Sequence, residues 1–473
     1  MRGARTAPKA ARNGDSFRAE PVFQRVLIAN RGEVAVRVIR ACHELGVEAV
    51  AVYSTADRDS LHVQLADQAV HVGPPPAAES YLNMPSLVAA ATTTGCEAVH
   101  PGWGFLAEKA AFAAACEDND LVFVGPRPES IETMGDKIRA KEAAAGAGLP
   151  LVPGSNGAAT LEQARALADD VGFPLLLKAA AGGGGRGMRL VEGPDELESA
   201  FRTATAEALA AFSDGSLYVE RAVVGCRHVE VQVLGDGEGR VLTLGERDCS
   251  IQRRHQKLVE EGPSPAVTPE LRAEMEEASR RATEALRYRG AGTIEYLLDG
   301  DGSFYFIEMN TRLQVEHPVT ELITGIDLAQ AQLRIAAGEG LPETGRAELH
   351  GHAIEFRINA EDPARGFLPA PGTVTRFRPP LGPGVRVDTH VYDGYTIPPN
   401  YDSLIAKLLV WAEDRPAALA RARRALSEFE LDGVPTTRDL AVEILESEDF
   451  ISGRYTTAFL AEASLAALGA PSS

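Results

Sequence analysis

Apolar and polar positions along the chain follow two successive textures. The apolar run VLIA at 26–29 reads as a buried parallel strand. Val34, Val38, Cys42 and Leu45 then recur at helical spacing, and residues 47–53 form a second apolar strand. A helix from about Met84, a strand at 97–100, a helix through Phe112 and a strand at 121–124 follow. Alternating strand and helix predicts a doubly wound α/β unit, with its ligand crevice at the carboxyl ends of the strands. From about residue 135 strands neighbour strands, with glycine hairpins at Gly235-Asp236-Gly237 and Asp301-Gly302, which is α+β material. A charged amphipathic helix with a solvated outer face is expected over 269–288. After Gly351 the pattern is strand-rich and broken by prolines, and a helix is predicted from Pro416 to about Glu430.

Composition narrows the function classes. At 473 residues the chain has room for roughly three domains of about 150 residues each. Hydrophobic residues make up 45% and charged residues 24%, and no run of 18 apolar residues occurs, so a disordered or membrane-embedded chain is excluded. The 47 Lys and Arg stand against 67 Asp and Glu, a net charge of −20 that argues against nucleic acid as a partner. A small basic pocket for an anion remains compatible with that total. The five cysteines form no CxxC, which signals neither zinc nor a disulfide framework and points to a reducing compartment, the cytoplasm. Residues 1–21 carry Arg2, Arg5, Lys9, Arg12 and Arg18 without an apolar segment, and read as a disordered tail rather than a transit leader.

Three segments carry chemistry. LLLKAAA at 175–181 runs into Gly182-Gly183-Gly184-Gly185-Arg186-Gly187, with MRLV behind it. Adjacent glycines let backbone N–H groups approach phosphate oxygens, and Lys178 and Arg186 add positive charge. No GxxxxGK[ST] string occurs, so the run reads as the tip of a hairpin folding over phosphates, with a plain surface turn as the alternative. In the second segment, strands flank Asp301-Gly302, a pair suited to a two-residue turn. That register sets Glu295 opposite Glu308, with Asn310 on the same face. Facing carboxylates repel unless a cation such as Mg²⁺ lies between them; the alternative is a solvated polar sheet face. In the third, TRLQVEHP at 311–318, an extended chain puts Arg312, Gln314 and Glu316 on one side: a cation for an oxyanion, an amide and a general base. Arg247, Arg253, Arg254, His255 and Lys257 crowd a short stretch. His228, Glu230 and Gln232 give one strand a polar face, and Arg357 shares a face with Glu355 and Asn359.

These strings, together with IANRGE (28–33), HPGWGFLAE (100–108), MGDK (134–137), RHVEVQV (227–233), ERDCSIQRRHQK (246–257) and RINAEDP (357–363), resemble the biotin carboxylases of the ATP-grasp superfamily. The likeness extends from about Gln24 to Leu460. It implies a doubly wound N-terminal domain over 22–135, an ATP-grasp domain over 136–337 with a mobile lid at about 152–222, and a strand-rich C-terminal domain over 338–465. ATP would be held by Lys137, Lys178, Gly184, Gly185, Glu220, Arg221, Ala222, Val223, His228, Gln252 and His255, together with the metal-binding Glu295 and Glu308. Two Mg²⁺ or Mn²⁺ ions would sit on Glu295, Glu308 and Asn310. Bicarbonate would meet Lys257, Arg312, Gln314, the Val315 backbone and Arg357, with Glu316 as base.

Arg357 would stabilise the biotin enolate, and Trp103, where many bacterial relatives have Tyr, would line the biotin edge. Ala181 replaces a glycine of some relatives. The resemblance also implies a homodimer, with Arg40 and Arg386 as candidate contacts. No methionine stands in the Met-Lys-Met context of a biotinyl carrier, so a biotin carboxyl carrier protein and carboxyltransferase subunits are expected as partner chains. Acetyl-CoA carboxylase is the expected setting; a propionyl-CoA or pyruvate carboxylase, or a silent ATP-binding scaffold, are the alternatives.

Overall fold

The computed structural model describes residues 22–155, 157–180, 187–254 and 256–462. The expected tail at 1–21, Ala181, Gly184, Gly185, Arg186 and His255 lie outside the described residues. Five strands, β1 (Arg25–Ile28), β2 (Glu48–Ser54), β3 (Gln68–Gly73), β4 (Ala98–His100) and β5 (Val122–Phe123), form a parallel sheet in the order β3-β2-β1-β4-β5. One face packs through Leu27, Val99, Phe112 and Phe123, the other through Val26, Ile28, Val34 and Val38, so helices cover both sides as the alternation predicts. The crevice opens where β1 and β4 end. There Asn30 Nδ2 donates to the carbonyls of Pro101 (2.7 Å) and Trp103 (2.8 Å). Gly102 has φ +63°, and a Cβ on it would lie 2.9 Å from Asn30 Nδ2, so the loop carrying Trp103 requires glycine.

The helix Gly32–Glu44 buries the apolar stripe at Val34, Val38 and Cys42, but not that stripe alone. Its first eight residues are all buried, Glu33 and Arg37 included. Its first polar residues face protein rather than water: Arg37 pairs with Glu321 (2.7 Å) and Glu33 with Lys407 (3.2 Å), while Arg40, His43 and Glu44 are exposed. The helix Pro269–Ala285 also buries part of its polar sequence, since Glu276 accepts from the Gly245 N–H at 3.0 Å.

A small antiparallel sheet follows, in the order β7-β6-β8, from β6 (Leu175–Ala179), β7 (Met188–Val191) and β8 (Leu217–Arg221). With the helices Leu161–Val171 and Pro194–Phe212 it has its own core around Leu175, Leu177, Val191, Leu197 and Val219. Thr160 and Gln163 cap the first of these helices reciprocally. Strands β6 and β7 pair Lys178 with Met188, so the glycine run joins a true hairpin.

The largest sheet carries the polar strands. Its order is β13-β12-β9-β10-β11, from β9 (Arg227–Asp236), β10 (Val241–Arg253), β11 (Gln256–Gly262), β12 (Arg289–Leu298) and β13 (Phe304–Asn310). It continues into His352–Asn359, Leu404–Ala412 and Val385–Thr389, so one sheet joins the central and C-terminal regions. One face is apolar, with Val229, Val231, Tyr296 and Phe306 in one core and Ile354, Phe356, Leu408 and Val410 in another. The alternate residues of the same strands bear charge. Five free cysteines are buried, and no helix among the described residues is long and apolar enough to cross a membrane.

Candidate active site

Strand register lines up four charged residues. Glu295 pairs with Glu230 on one side and Glu308 on the other, and Glu230 pairs with Arg247. Three carboxylates in one row repel, so the row persists only with compensating cations. Arg247, fully buried, closes one end: its Nε donates to Glu230 (2.7 Å), while its other nitrogens reach Gln232, Thr320 and Gln314, each within 2.8 Å. Lys257 Nζ bridges the middle, at 2.5 Å from Glu230, 3.0 Å from Glu295 and 2.6 Å from Glu316. His228 Nε2 stands 3.0 Å from Glu295 Oε2. Burial lowers its imidazole, but the facing Glu295 charge more than offsets this and the net shift is upward.

Glu308 occupies the open end of the row, with its side chain exposed to the cleft. Loss of water within the cleft, followed by repulsion from Glu295, raises its carboxyl. Asn310 Nδ2 donates to Glu295 Oε1 (2.8 Å), and its Oδ1 accepts from Arg312 (2.8 Å). Oxygen donors gathered beside an under-compensated carboxylate fit a hard divalent cation.

The hairpin reaches this register by a different route from the one expected. The turn is a three-residue loop, with Gly302 at φ +89°, rather than a two-residue turn. By itself that would shift the pairing by one residue. A bulge at Ile307, between the Tyr296–Phe306 and Glu295–Glu308 pairs, restores it. A second bulge acts on β11: Ile251 pairs with Val259 but Gln252 with Lys257, so Leu258 is the extra residue. It brings Lys257 onto the polar face beside Glu230, which strict alternation from Glu260 would not do.

Residues 311–316 are likewise not the extended segment expected. The chain bends, and Glu316 (φ −81°, ψ 6°) caps the helix His317–Thr324, whose first turn contains Pro318. Arg312, Gln314 and Glu316 therefore take different partners. Arg312 Nε donates to Glu108 (2.8 Å), and Glu108 also accepts from the Thr311 N–H (3.1 Å). Gln314 Nε2 donates to Glu295 (2.9 Å). Glu316 lies between two cations, with Oε1 2.6 Å from Lys257 and Oε2 2.8 Å from Arg357 Nη2. Burial would raise its carboxyl, yet Lys257, Arg357 and Arg247 hold it well below the usual range.

Arg357 also donates to Glu260 (2.6 Å). Glu260 pairs across the strands with the fully buried Glu355. Burial pushes the Glu260 carboxyl up to about 7, Arg357 opposing and Glu316 adding to the rise.

The small β7-β6-β8 sheet brings a second charged group near the site. Glu220 of β8 accepts from Lys178 (2.5 Å) and from Lys141. Loss of water and the neighbouring Lys178 charge lower the Lys137 ammonium. Arg221 donates to Tyr305 (2.9 Å), which ties β8 to β13; Ala222 and Val223 follow it half-buried, and Gln252 lies at the end of β10. Of the expected dimer contacts, Arg40 is exposed, whereas Arg386 is tied within the protomer to Glu321 and Asp388, each at 2.7 Å. Sequence reasoning missed Glu108, Lys141, Glu260 and Lys407, and noted Glu230, Arg247 and Glu355 only as polar or basic positions without a role. The polar alternation of HVEVQV signalled Glu230.

Family models cover the described chain in three blocks. Biotin carboxylase, N-terminal domain, matches residues 22–131; Carbamoyl-phosphate synthase L chain, ATP binding domain, matches 136–344; and Biotin carboxylase C-terminal domain matches 355–462. The biotin carboxylase of Nostoc sp. is 54% identical over 442 residues, covering 93% of this chain and 99% of that protein. This chain belongs to the biotin carboxylase family. The chloroplastic biotin carboxylase of Arabidopsis thaliana is 52% identical over 92% of this chain and 82% of its own length. Among solved structures, the biotin carboxylase–β,γ-ATP complex of Campylobacter jejuni superposes with a TM-score of 0.88 at 47% identity, covering 93% of this chain and 98% of that one. The biotin carboxylase domain dimer of Hydrogenobacter thermophilus 2-oxoglutarate carboxylase was solved with MgADP, ADP and bicarbonate. It gives a TM-score of 0.88 at 48% identity, covering 95% of this chain and 99% of that one. Like other biotin carboxylases, the chain is an ATP-dependent ligase with an ATP-grasp domain.

Proposed function

We propose that the chain carboxylates biotin displayed by a separate biotin carboxyl carrier protein, as the first half-reaction of a cytoplasmic acetyl-CoA carboxylase. The observation that carries the site assignment is the Glu316 carboxylate held between Lys257 and Arg357 at 2.6 and 2.8 Å. An incoming bicarbonate competes for both cations. Once they face the substrate anion, Glu316 is released from their field and can accept the bicarbonate proton.

In this reading Lys137, Lys178, Glu220, Arg221, Ala222, Val223, His228 and Gln252 bind ATP, joined by Gly184, Gly185 and His255. Glu295, Glu308 and Asn310 would hold Mg²⁺, which when bound offsets the phosphate charge. Lys257, Arg312, Gln314 and the Val315 backbone receive bicarbonate. The bicarbonate oxygen forms a bond to the γ-phosphorus while the bond to ADP breaks, giving carboxyphosphate. This divides into CO₂ and phosphate, and the phosphate removes the biotin N1′ proton. Arg357 faces the resulting ureido oxyanion, Trp103 lines the biotin edge, and N1′ attacks CO₂. Lid closure keeps water from carboxyphosphate.

The acetyl-CoA setting is supported by identities of 50–54% over nearly the whole chain to proteins named biotin carboxylase, the chloroplastic one of Arabidopsis thaliana among them. Carboxyltransferase subunits are the remaining partners. The decisive assay is ATP cleavage by the purified chain: it should require Mg²⁺ and bicarbonate and accelerate with free biotin. Cleavage indifferent to bicarbonate would refute the assignment. A homodimer belongs to the same reading, and light scattering at micromolar concentration should return twice the chain mass of 50.3 kDa. A monomeric mass would count against it.

A further inference from the structure

Lys407 lies in the apolar strand Leu404–Ala412 and has no exposed surface. Burying an ammonium costs its hydration and its rotamer freedom, so its partners must compensate. Its Nζ donates to the Val315 carbonyl at 2.9 Å, lies 3.2 Å from Glu33 Oε1 and 3.8 Å from Asp388 Oδ2, and stands 5.0 Å from the Trp103 ring centre. Across the strands Lys407 pairs directly with Arg357 on one side and Asp388 on the other. Two cations directly opposite each other weaken a sheet. Here they address consecutive residues of one turn: Arg357 holds the Glu316 carboxylate and Lys407 the Val315 carbonyl.

We infer that Lys407 is a positioning residue for bicarbonate activation: by pinning the Val315 carbonyl it sets the plane of the Val315–Glu316 peptide, and with it the backbone that receives bicarbonate and the direction of the Glu316 side chain. The peptide is planar, so fixing its oxygen fixes the Glu316 N–H and constrains the Glu316 Cα. An ion pair with Glu33 and Asp388 alone would hold the layers together without reaching this turn. The contact with Trp103 brings the N-terminal crevice loop to the same ammonium, so three parts of the molecule meet at the turn. Asp388 retains Arg386 as a partner when Lys407 is removed, whereas Glu33 loses its paired cation and the buried Glu355 loses the nearby Lys407 charge.

The inference rests on the proposed role of Glu316, and wild-type activity tests that role separately. Wild type lacking bicarbonate-dependent ATP cleavage would refute the functional reading, whereas the Lys407 result is read as a ratio to an active wild type. In the full chain, Lys407→Met should raise the KM for bicarbonate by about 10-fold and lower kcat by about 10-fold, the scale of a modest misplacement of reacting groups. The KM for ATP should stay within about twofold, because the nucleotide contacts lie elsewhere. Lys407→Arg should recover part of the loss. The double variant Lys407→Met/Glu33→Gln removes both buried charges, so it tests the same prediction if the single variant does not fold. Wild-type bicarbonate KM and kcat in either folded variant, or an equal rise in both KM values, would overturn the proposal. So would failure of both variants to fold by circular dichroism, which would make Lys407 purely structural.

Discussion

Replacing Glu316 by Gln should lower bicarbonate-dependent ATP cleavage by about 10²–10⁴, the usual contribution of a positioned general base, while ATP binds almost as before. The amide keeps the size of the carboxylate and can still accept a hydrogen bond from Lys257 or Arg357. It cannot take the bicarbonate proton. The residues proposed to bind the nucleotide, Lys137, Lys178 and Glu220, lie on other elements than the turn at Glu316. The ion pairs also bear on interpretation: Glu316 is held well below the ordinary carboxylate range once Lys257, Arg357 and Arg247 overcome burial, so it is ionised in the free site at neutral pH. The variant therefore removes a charge as well as a base. Steady-state turnover together with nucleotide titration separates the two effects. A variant turning over near the wild-type rate would leave Glu316 a positioning group and place the base elsewhere.

The sequence was most legible where local pattern and global fold agree. Alternating strand and helix before residue 135 gave the parallel sheet, and the apolar flanks of the glycine run gave the β6–β7 hairpin. The pairing of Glu295 with Glu308 was also expected, although the turn chosen to reach it was wrong. A three-residue loop and the bulge at Ile307 cancel, and neither has a clear signature in the string LLDGDGSFYF. Bulges mark the general limit: period-two reasoning holds only until one residue is inserted, and the extra Leu258 redirects Lys257.

The residues missed have another cause. Glu260 and Lys407, like Glu230 and Glu355 whose polar strand faces were noted without a role, are charges on strands, which ordinarily mark a solvated face, but here that face is covered by other parts of the same protein. Lys407 is the extreme case. In LIAKLLVWA a single lysine resembles an interruption of a core strand, and its partners come from distant parts of the chain: Glu33, Asp388 and the Val315 carbonyl. Arg37 was hidden in the same way, on the buried first half of a helix, where it meets Glu321 instead of water.

Arg357 should divide the reaction into its two halves. Making carboxyphosphate requires ATP, a divalent cation and a deprotonated bicarbonate, gathered by the carboxylate row and the turn at Glu316. Moving carbon onto biotin requires stabilisation of the negative charge that grows on the ureido oxygen as the N1′ proton leaves. A guanidinium stays charged throughout the working pH range and can aim a fixed fork of donors at that oxygen. The surroundings reinforce this: burial disfavours the charge on Arg357, but Glu260 and Glu316 more than restore it. Glu260 holds Nε at 2.6 Å while Nη2 reaches Glu316 at 2.8 Å, so the plane of the fork is set from behind. An oxyanion donor of this kind contributes about 2.7–4 kcal/mol to a transition state, so Arg357→Ala should cut biotin carboxylation by about 10²–10³. Because the same guanidinium pairs with Glu316, ATP cleavage should fall too, but by a smaller factor. The quantity to measure is ATP hydrolysed per carboxybiotin formed, which should rise above the wild-type ratio. An equal fall in both rates would assign Arg357 to the carboxyphosphate step and remove it from the second half of the reaction.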